Sequence, residues 1–170
     1  AEFLDLMQQV KNLCPEVLIV AGGPHVQKAR DYLFSEAVDI IVLGEGEATF
    51  TEFLDAPSPQ QWDDVAGIAF VRDGEMISTP ERPRFRNLNV LPSALDVISL
   101  LDSDGKPYDC IAYETSRGCP YKCAFCEWGT GAIGTKMLSF SVDRIRHDWN
   151  QIVDAGIKNI WLCDSNFGAL

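Results

Sequence analysis

The sequence predicts an α/β protein. It should hold the tail of one parallel sheet, a hairpin with connecting chain, and the opening strand–helix–strand of a second parallel sheet. Three observations carry this. The short apolar runs Val17–Ala21 and Ile40–Leu43 alternate with stretches of helical periodicity, the pattern of strands covered on both faces. Arg72-Asp-Gly74 sits between two strand-like runs, Gly67–Val71 and Glu75–Thr79, and is a hairpin turn. The strand–helix–strand rhythm then restarts at Cys110 and reaches Asp164. The expected boundaries are 1–58, 59–108 and 109–170.

Taken in order, Phe3, Leu4, Met7, Val10 and Leu13 recur at helical spacing until Pro15. The strand at Val17–Ala21 ends in Gly22-Gly23-Pro24. A helix from Pro24 to about Glu36 should bury Val26, Ala29, Tyr32 and Leu33. The strand Asp39–Leu43 ends in Gly44-Glu-Gly-Glu47. The helix after it is anchored by Phe50, Phe53 and Leu54. Two such strands are too few for a domain, so a larger sheet with earlier strands outside this chain is expected. Residues 55–62, rich in Pro, Ser and Gln, read as linker. Pro80–Pro92 reads as extended chain. Cys110–Glu114 is the next strand. Ser141 should cap a helix over Val142–Ala155, with Ile145, Trp149, Ile152 and Val153 inward and Gly156 past its end. Asn159–Cys163 is the last strand, closed by Asp164-Ser-Asn-Phe-Gly168. A chain stopping so soon after a strand is expected to be cut from a longer one.

The composition narrows the function. In 170 residues, 46% are hydrophobic and the net charge is −11. That is a packing composition, and the charge gives no attraction to phosphate backbones or anionic lipid. No apolar run approaches the ~20 residues of a membrane span, and no leader is apparent. The expectation is a cytoplasmic protein with no membrane and no nucleic-acid partner.

Six cysteines stand out. Cys14, Cys110 and Cys163 are scattered, and such residues are usually small buried hydrophobes; Cys110, inside a strand, is expected in the core. Cys119, Cys123 and Cys126 are spaced Cys-x3-Cys-x2-Cys. Three thiolates can hold three irons of a [4Fe–4S] cluster and leave the fourth open. Zinc would need a fourth ligand from elsewhere, and redox or incidental cysteines are the remaining reading.

Thr115-Ser-Arg-Gly-Cys-Pro-Tyr-Lys-Cys-Ala-Phe-Cys126 closely resembles the cluster loop of radical S-adenosylmethionine (SAM) enzymes, down to Phe125 before the third cysteine. Leu18-Ile-Val-Ala-Gly-Gly-Pro-His25 and Val42-Leu-Gly-Glu-Gly-Glu-Ala-Thr-Phe50 look like the last strand–loop junctions of the cobalamin-binding domain that precedes the barrel in B12-dependent members. The resemblance implies the C-terminal half of a Rossmann-like cobalamin domain, a hairpin linker, and the first βαβ of a partial TIM-like (β/α) barrel. It implies that Cys119, Cys123 and Cys126 hold [4Fe–4S] and that its open iron chelates SAM. Reduction of SAM there releases a 5′-deoxyadenosyl radical. Backbone near Phe125 would meet adenine, with Asp164, Ser165 and Asn166 beside the SAM ammonium. Gly22, Gly23, Gly44 and Gly46 would flank the cobalamin tail.

The implied reaction is methyl transfer from cobalamin to an unactivated carbon of a small-molecule or peptide substrate, with electrons from a flavodoxin or ferredoxin. The piece alone is expected to be inactive. A tRNA methylthiotransferase-like enzyme is the alternative within radical SAM chemistry; a non-catalytic iron–sulfur or zinc module is the alternative outside it. The family's Gly-Gly-Glu after the second barrel strand is replaced here by Asp164-Ser-Asn. The Asp-x-His-x-x-Gly lower-ligand motif of some cobalamin domains is not in this sequence. His25 is expected to cap or pack, His147 to be solvated, and the glycines of Gly129–Gly134 to loosen a loop.

Overall fold

A computed structural model describes residues 2–23, 26, 30–33, 37–126 and 135–168. The chain forms two compact units, Ala1–Arg84 and Phe85–Leu170.

In the first unit, β1 (Val20–Ala21) runs parallel to β2 (Ile40–Val42), with Val20 opposite Ile40. β3 (Ile68–Arg72) pairs antiparallel with β2, and β4 (Glu75–Ser78) with β3. The hairpin is therefore sheet, and the unit runs past the expected boundary at 58. The cause is burial. Ile40 and Ile41 are fully enclosed, so β2 must pair along both edges, and the Ile68–Phe70 run is equally enclosed. Asp73 and Gly74 have φ of 52° and 79°, the left-handed pair that a two-residue hairpin requires.

Alternation along β2 and β3 divides the core into two layers. Ile41 and Ala69 pack with Ile19, Val26, Leu33 and Val38 on one face. Ile40, Val42, Ile68 and Phe70 pack with Phe53, Trp62 and Val65 on the other. Helix α1 (Glu2–Leu13) lays Leu4, Met7 and Val10 on the first layer, while Phe3 and Leu13 face solvent. Lys11 secures it: Nζ donates to the Val17 carbonyl at 2.8 Å and to Asp39, whose Oδ2 accepts from the Ile19 N–H at 2.7 Å. Helix α2 is described over Arg30–Leu33; Pro24, His25 and Ala29 lie outside the described residues. In α3 (Gly46–Leu54) only Phe53 of the expected anchors is buried, and Phe50 and Leu54 are exposed. The expected linker at 55–62 is corrected in part. Pro59–Asp64 forms a 3₁₀ turn whose Trp62 packs 5.9 Å from the Phe53 ring and 5.4 Å from that of Phe70.

In the second unit, β5 (Cys110–Tyr113) and the last strand (Asn159–Leu162) are parallel, with Cys110 opposite Asn159 and Tyr113 opposite Leu162. Between them comes an unforeseen ribbon, β6 (Ser116–Arg117) against β7 (Leu138–Ser139). The helix α4 (Val142–Asp154) follows, and the last strand is β8. Ser141 Oγ accepts the Arg144 N–H at 3.2 Å as its N-cap. Ile111, Tyr113, Ile160 and Leu162 face α4 with Ile145 and Ile152. The other strand face carries Cys110, Ala112 and Trp161, all exposed. Cys110 is thus not core: period-two alternation places it opposite the helix. Cys14 and Cys163 are also exposed. Val153 is 68% exposed, and its expected inward place belongs to Asp148, 3% exposed.

Candidate functional site

The cluster loop leaves the C-terminal end of β5, where loops of parallel sheets gather functional groups. Its three cysteines are free thiols; Cys119 and Cys126 are half-buried and Cys123 is exposed. The Cys126 N–H donates to the Cys123 carbonyl at 3.1 Å, closing a turn that leaves Phe125 93% exposed. Among the described residues no three His, Cys, Asp or Glu side chains converge as ligands of a single metal ion. The chemistry of the donor set fits an iron–sulfur cluster: residues 115–126 contain three thiols and no imidazole or carboxylate.

The stem of this loop is pinned from two sides. On one, Ser116 and Arg117 pair with Ser139 and Leu138, and the Phe140 N–H donates to the Thr115 carbonyl at 3.0 Å. On the other, β8 delivers its closing turn. The Cys163 N–H donates to the Tyr113 carbonyl at 2.8 Å, one step beyond the strand register. That brings Asp164 against the stem. Its Oδ1 accepts the Thr115 N–H at 2.6 Å and the Ser116 N–H at 3.0 Å. Its Oδ2 accepts the Ser116 hydroxyl at 3.2 Å and the Thr115 hydroxyl. Ser165 Oγ donates to the Gly118 carbonyl at 2.6 Å. Asn166 follows, half-buried. The structure therefore brings Asp164 and Ser165 to the cluster-loop stem. The four lone-pair sites of the Asp164 carboxylate are met by donors from the stem.

Gly118 has φ of 108°, and a Cβ there would overlap the Lys136 carbonyl. Gly118→Ala is expected to push β7 off the stem and destabilise the unit by roughly 1–3 kcal/mol, read as a lower melting temperature with accompanying loss of bound iron.

The glycines of the first unit meet a second feature. A cleft of about 600 Å³ is lined by Leu18, Val20, Gly22, Gly23, Val42, Gly46, Glu47 and Phe50. Bare backbone at Gly22, Gly23 and Gly46, between apolar walls, fits the close approach of a large ligand at the carboxyl ends of β1 and β2. Gly44 is outside the lining; at φ 76° it makes the turn from β2 into α3.

His147 is 58% exposed in its side chain, yet its Nε2 lies 3.1 Å from Asp96 Oδ1. The hydrogen bonds from His147 and then Gln151 hold the Asp96 carboxyl below its usual range. His25 and residues 127–134 lie outside the described residues. Sequence reasoning missed the buried Asp148. Its carboxylate accepts from Ser93 Oγ at 2.7 Å, Tyr113 OH at 2.9 Å and Arg144 Nε at 2.9 Å. Burial, then the hydrogen bond to Asp148, pushes the Tyr113 phenol up. The one available signal was Arg144 four residues before Asp148 on a helix.

No family model matches the chain. It is 32% identical over 173 residues to the cobalamin-dependent radical SAM methyltransferase TokK of Streptomyces tokunonensis, covering 95% of this chain and 25% of TokK. It is 35% identical over 179 residues to 2-(S-pantetheinyl)-carbapenam-3-carboxylate methyltransferase of Streptantibioticus cattleyicolor, again covering 95% and 25%. The chain thus spans about a quarter of the length of these curated relatives. In fold it is similar to the radical SAM methyltransferase TsrM of Kitasatospora setae, solved with cobalamin and a [4Fe–4S] cluster. There the TM-score is 0.68 at 15% identity, covering 98% of this chain and 34% of that one. It is similar also to OxsB, a cobalamin-dependent SAM radical enzyme solved with aqua-cobalamin, with TM-score 0.67, 22% identity and coverage of 98% and 24%. Along nearly its whole length the chain is thus similar to cobalamin-dependent radical SAM methyltransferases, over about a quarter of theirs.

Proposed function

We propose that the protein carrying this sequence is a B12-dependent radical SAM methyltransferase acting on an unactivated carbon of a small-molecule or peptide substrate. The observation that carries the reading is the turn of three free thiols at the end of β5, braced by the turn after β8. Cys119, Cys123 and Cys126 hold a [4Fe–4S] cluster as thiolates. When bound, the cluster and cobalamin supply an electron for reductive cleavage of the SAM carbon–sulfur bond and the methyl group for transfer.

The chain's own residues do the rest. The three thiolates leave one corner of the cluster for SAM. Backbone beside the exposed Phe125 is placed for adenine, and Ser165 and Asn166 offer oxygen acceptors for the SAM ammonium. Gly22, Gly23 and Gly46 open backbone to the cobalamin tail, and Gly44 sets the turn beside it. A flavodoxin or ferredoxin is the electron donor. The setting is the cytoplasm, consistent with six cysteines that are all free. Among the described residues no helix is long and apolar enough to cross a membrane.

The test is anaerobic reconstitution of the full-length polypeptide with iron, sulfide and cobalamin, followed by reduction in the presence of SAM. Formation of 5′-deoxyadenosine, lost in Cys119→Ala, is the expected result. A full cluster that never cleaves SAM would leave the protein an iron–sulfur binding module.

A further inference from the structure

We infer that Asp164 is a positioning residue of the cluster loop. Its carboxylate fixes the stem that leads into Cys119, instead of receiving the SAM ammonium. The inference rests on the reading that Cys119, Cys123 and Cys126 hold the cluster.

The geometry has three parts. First, the strand register aims Asp164. Tyr113 pairs with Leu162, and the Cys163 N–H extends the ladder to the Tyr113 carbonyl, so Asp164, the residue after it, meets the chain as it leaves β5. Second, the acceptors are consumed. Two consecutive backbone N–H groups, those of Thr115 and Ser116, converge on Oδ1, and both hydroxyls of the same two residues meet Oδ2. Consecutive amides around one anion form a small concave nest, and the two hydroxyls complete it. Such charge-assisted bonds are about twice as strong as neutral ones. Third, the adjacent Ser165 hydroxyl ties down the Gly118 carbonyl at 2.6 Å. On the β7 side the stem runs so close to the Lys136 carbonyl that only a residue without a Cβ fits at Gly118. The peptide that begins Cys119 is therefore gripped on both sides.

The stem sets where the first thiolate points. Residues 115–118 precede Cys119 without any helix or long strand to stiffen them. Without Asp164, the amides of Thr115 and Ser116 would turn to water and the stem would sample other paths.

The experiment uses the full-length polypeptide, reconstituted anaerobically, with four variants: Asp164→Ala, Asp164→Asn, the double variant Thr115→Val/Ser116→Ala, and Cys119→Ala. Three quantities are read: the half-life of the cluster against an iron chelator, the electron paramagnetic resonance spectrum of the reduced cluster, and the affinity for SAM per cluster. Asp164→Ala should shorten the half-life about tenfold or more and add a second spectral species. Asp164→Asn should recover most of the half-life, because its amide oxygen still accepts the two N–H groups and its NH₂ can donate to the hydroxyls. The double variant keeps the carboxylate and removes the hydroxyl donors, so its half-life should fall between. It also stands in should Asp164→Ala not fold.

SAM affinity per cluster should stay within about threefold of the wild type, under the tenfold that ~1.4 kcal/mol represents. A half-life and spectrum unchanged in Asp164→Ala and in the double variant would overturn the inference. So would a loss of SAM affinity with cluster half-life intact, which would make Asp164 a direct ligand of the ammonium. Failure of the underlying reading looks different: wild type and Cys119→Ala would then take up the same iron.

Discussion

Cys119→Ala, Cys123→Ala and Cys126→Ala are each expected to leave the reconstituted protein without brown absorbance. The size of the effect follows from the ligand count. Residues 115–126 offer three thiols and nothing else that binds iron strongly. Removing one leaves two, and no other described His, Cys, Asp or Glu completes a set with them. Cys14→Ala, Cys110→Ala and Cys163→Ala should keep full colour. Their thiols are exposed and lie outside the spaced triplet: Cys14 follows α1 in the first unit, Cys110 opens β5 on the face away from α4, and Cys163 follows β8. Iron and sulfide analysis across the six single variants checks the pattern. Equal loss from Cys110→Ala would mean that the ligand set is not these three residues.

Asp148→Ala is expected to be the most destabilising single change in the second unit. Asp148 joins three segments. Ser93 comes from the connecting chain, Tyr113 from β5 and Arg144 from α4 itself, and the Arg144 Nη1 reaches on to the Leu91 carbonyl at 2.8 Å. Truncation strips the guanidinium of its carboxylate at a site where the Arg144 side chain is only 18% exposed. It also orphans two hydroxyls. Breaking one side of a buried ion pair costs about 3–5 kcal/mol. In a unit of this size the melting temperature should fall by at least about 10 °C. Thermal unfolding followed by circular dichroism measures this.

Asp148→Asn, which keeps the acceptor oxygen, should lose less. The same network sets an alkaline limit. The Tyr113 phenol is raised in the folded state, so the unfolded chain releases that proton first. The stability it confers is whole below about pH 10 and drains away as pH rises toward the folded value. Tyr113→Phe should remove that slope.

What could be read in the sequence depended on range. Patterns of period two and 3.6 report which face is buried, and they located β2, the hairpin, α4 and the βαβ unit. The hairpin was legible because Asp73-Gly74 is a local demand on φ. The cysteine spacing was legible because three thiols within eight positions need no tertiary knowledge. Trp62 was not, since a Pro- and Gln-rich stretch looks solvated until its one aromatic finds Phe53 and Phe70. Asp148, and the contacts that Asp164 makes with the stem, were not legible for the same reason. Their partners lie 55 and 49 residues away at the far ends of Ser93 and Thr115, and no periodicity reports a long-range hydrogen bond. Cys110 was placed in the core because residue type outweighed strand parity.

The hairpin's membership in the first sheet sets where this protein divides for modular exchange. A swap that ended the first module at residue 58 would carry β2 without β3. It would discard Ile68, Ala69 and Phe70, each at 0% exposure, and leave the Ile40–Val42 backbone as an open edge beside a half-empty apolar layer. Such an edge invites self-association. A junction after Arg84 keeps the sheet whole and retains the ion pair between Arg84 and Glu45 at 3.7 Å. Recombination between relatives, natural or designed, should therefore inherit Gly67–Ser78 with the glycine-lined cleft, as one heritable block.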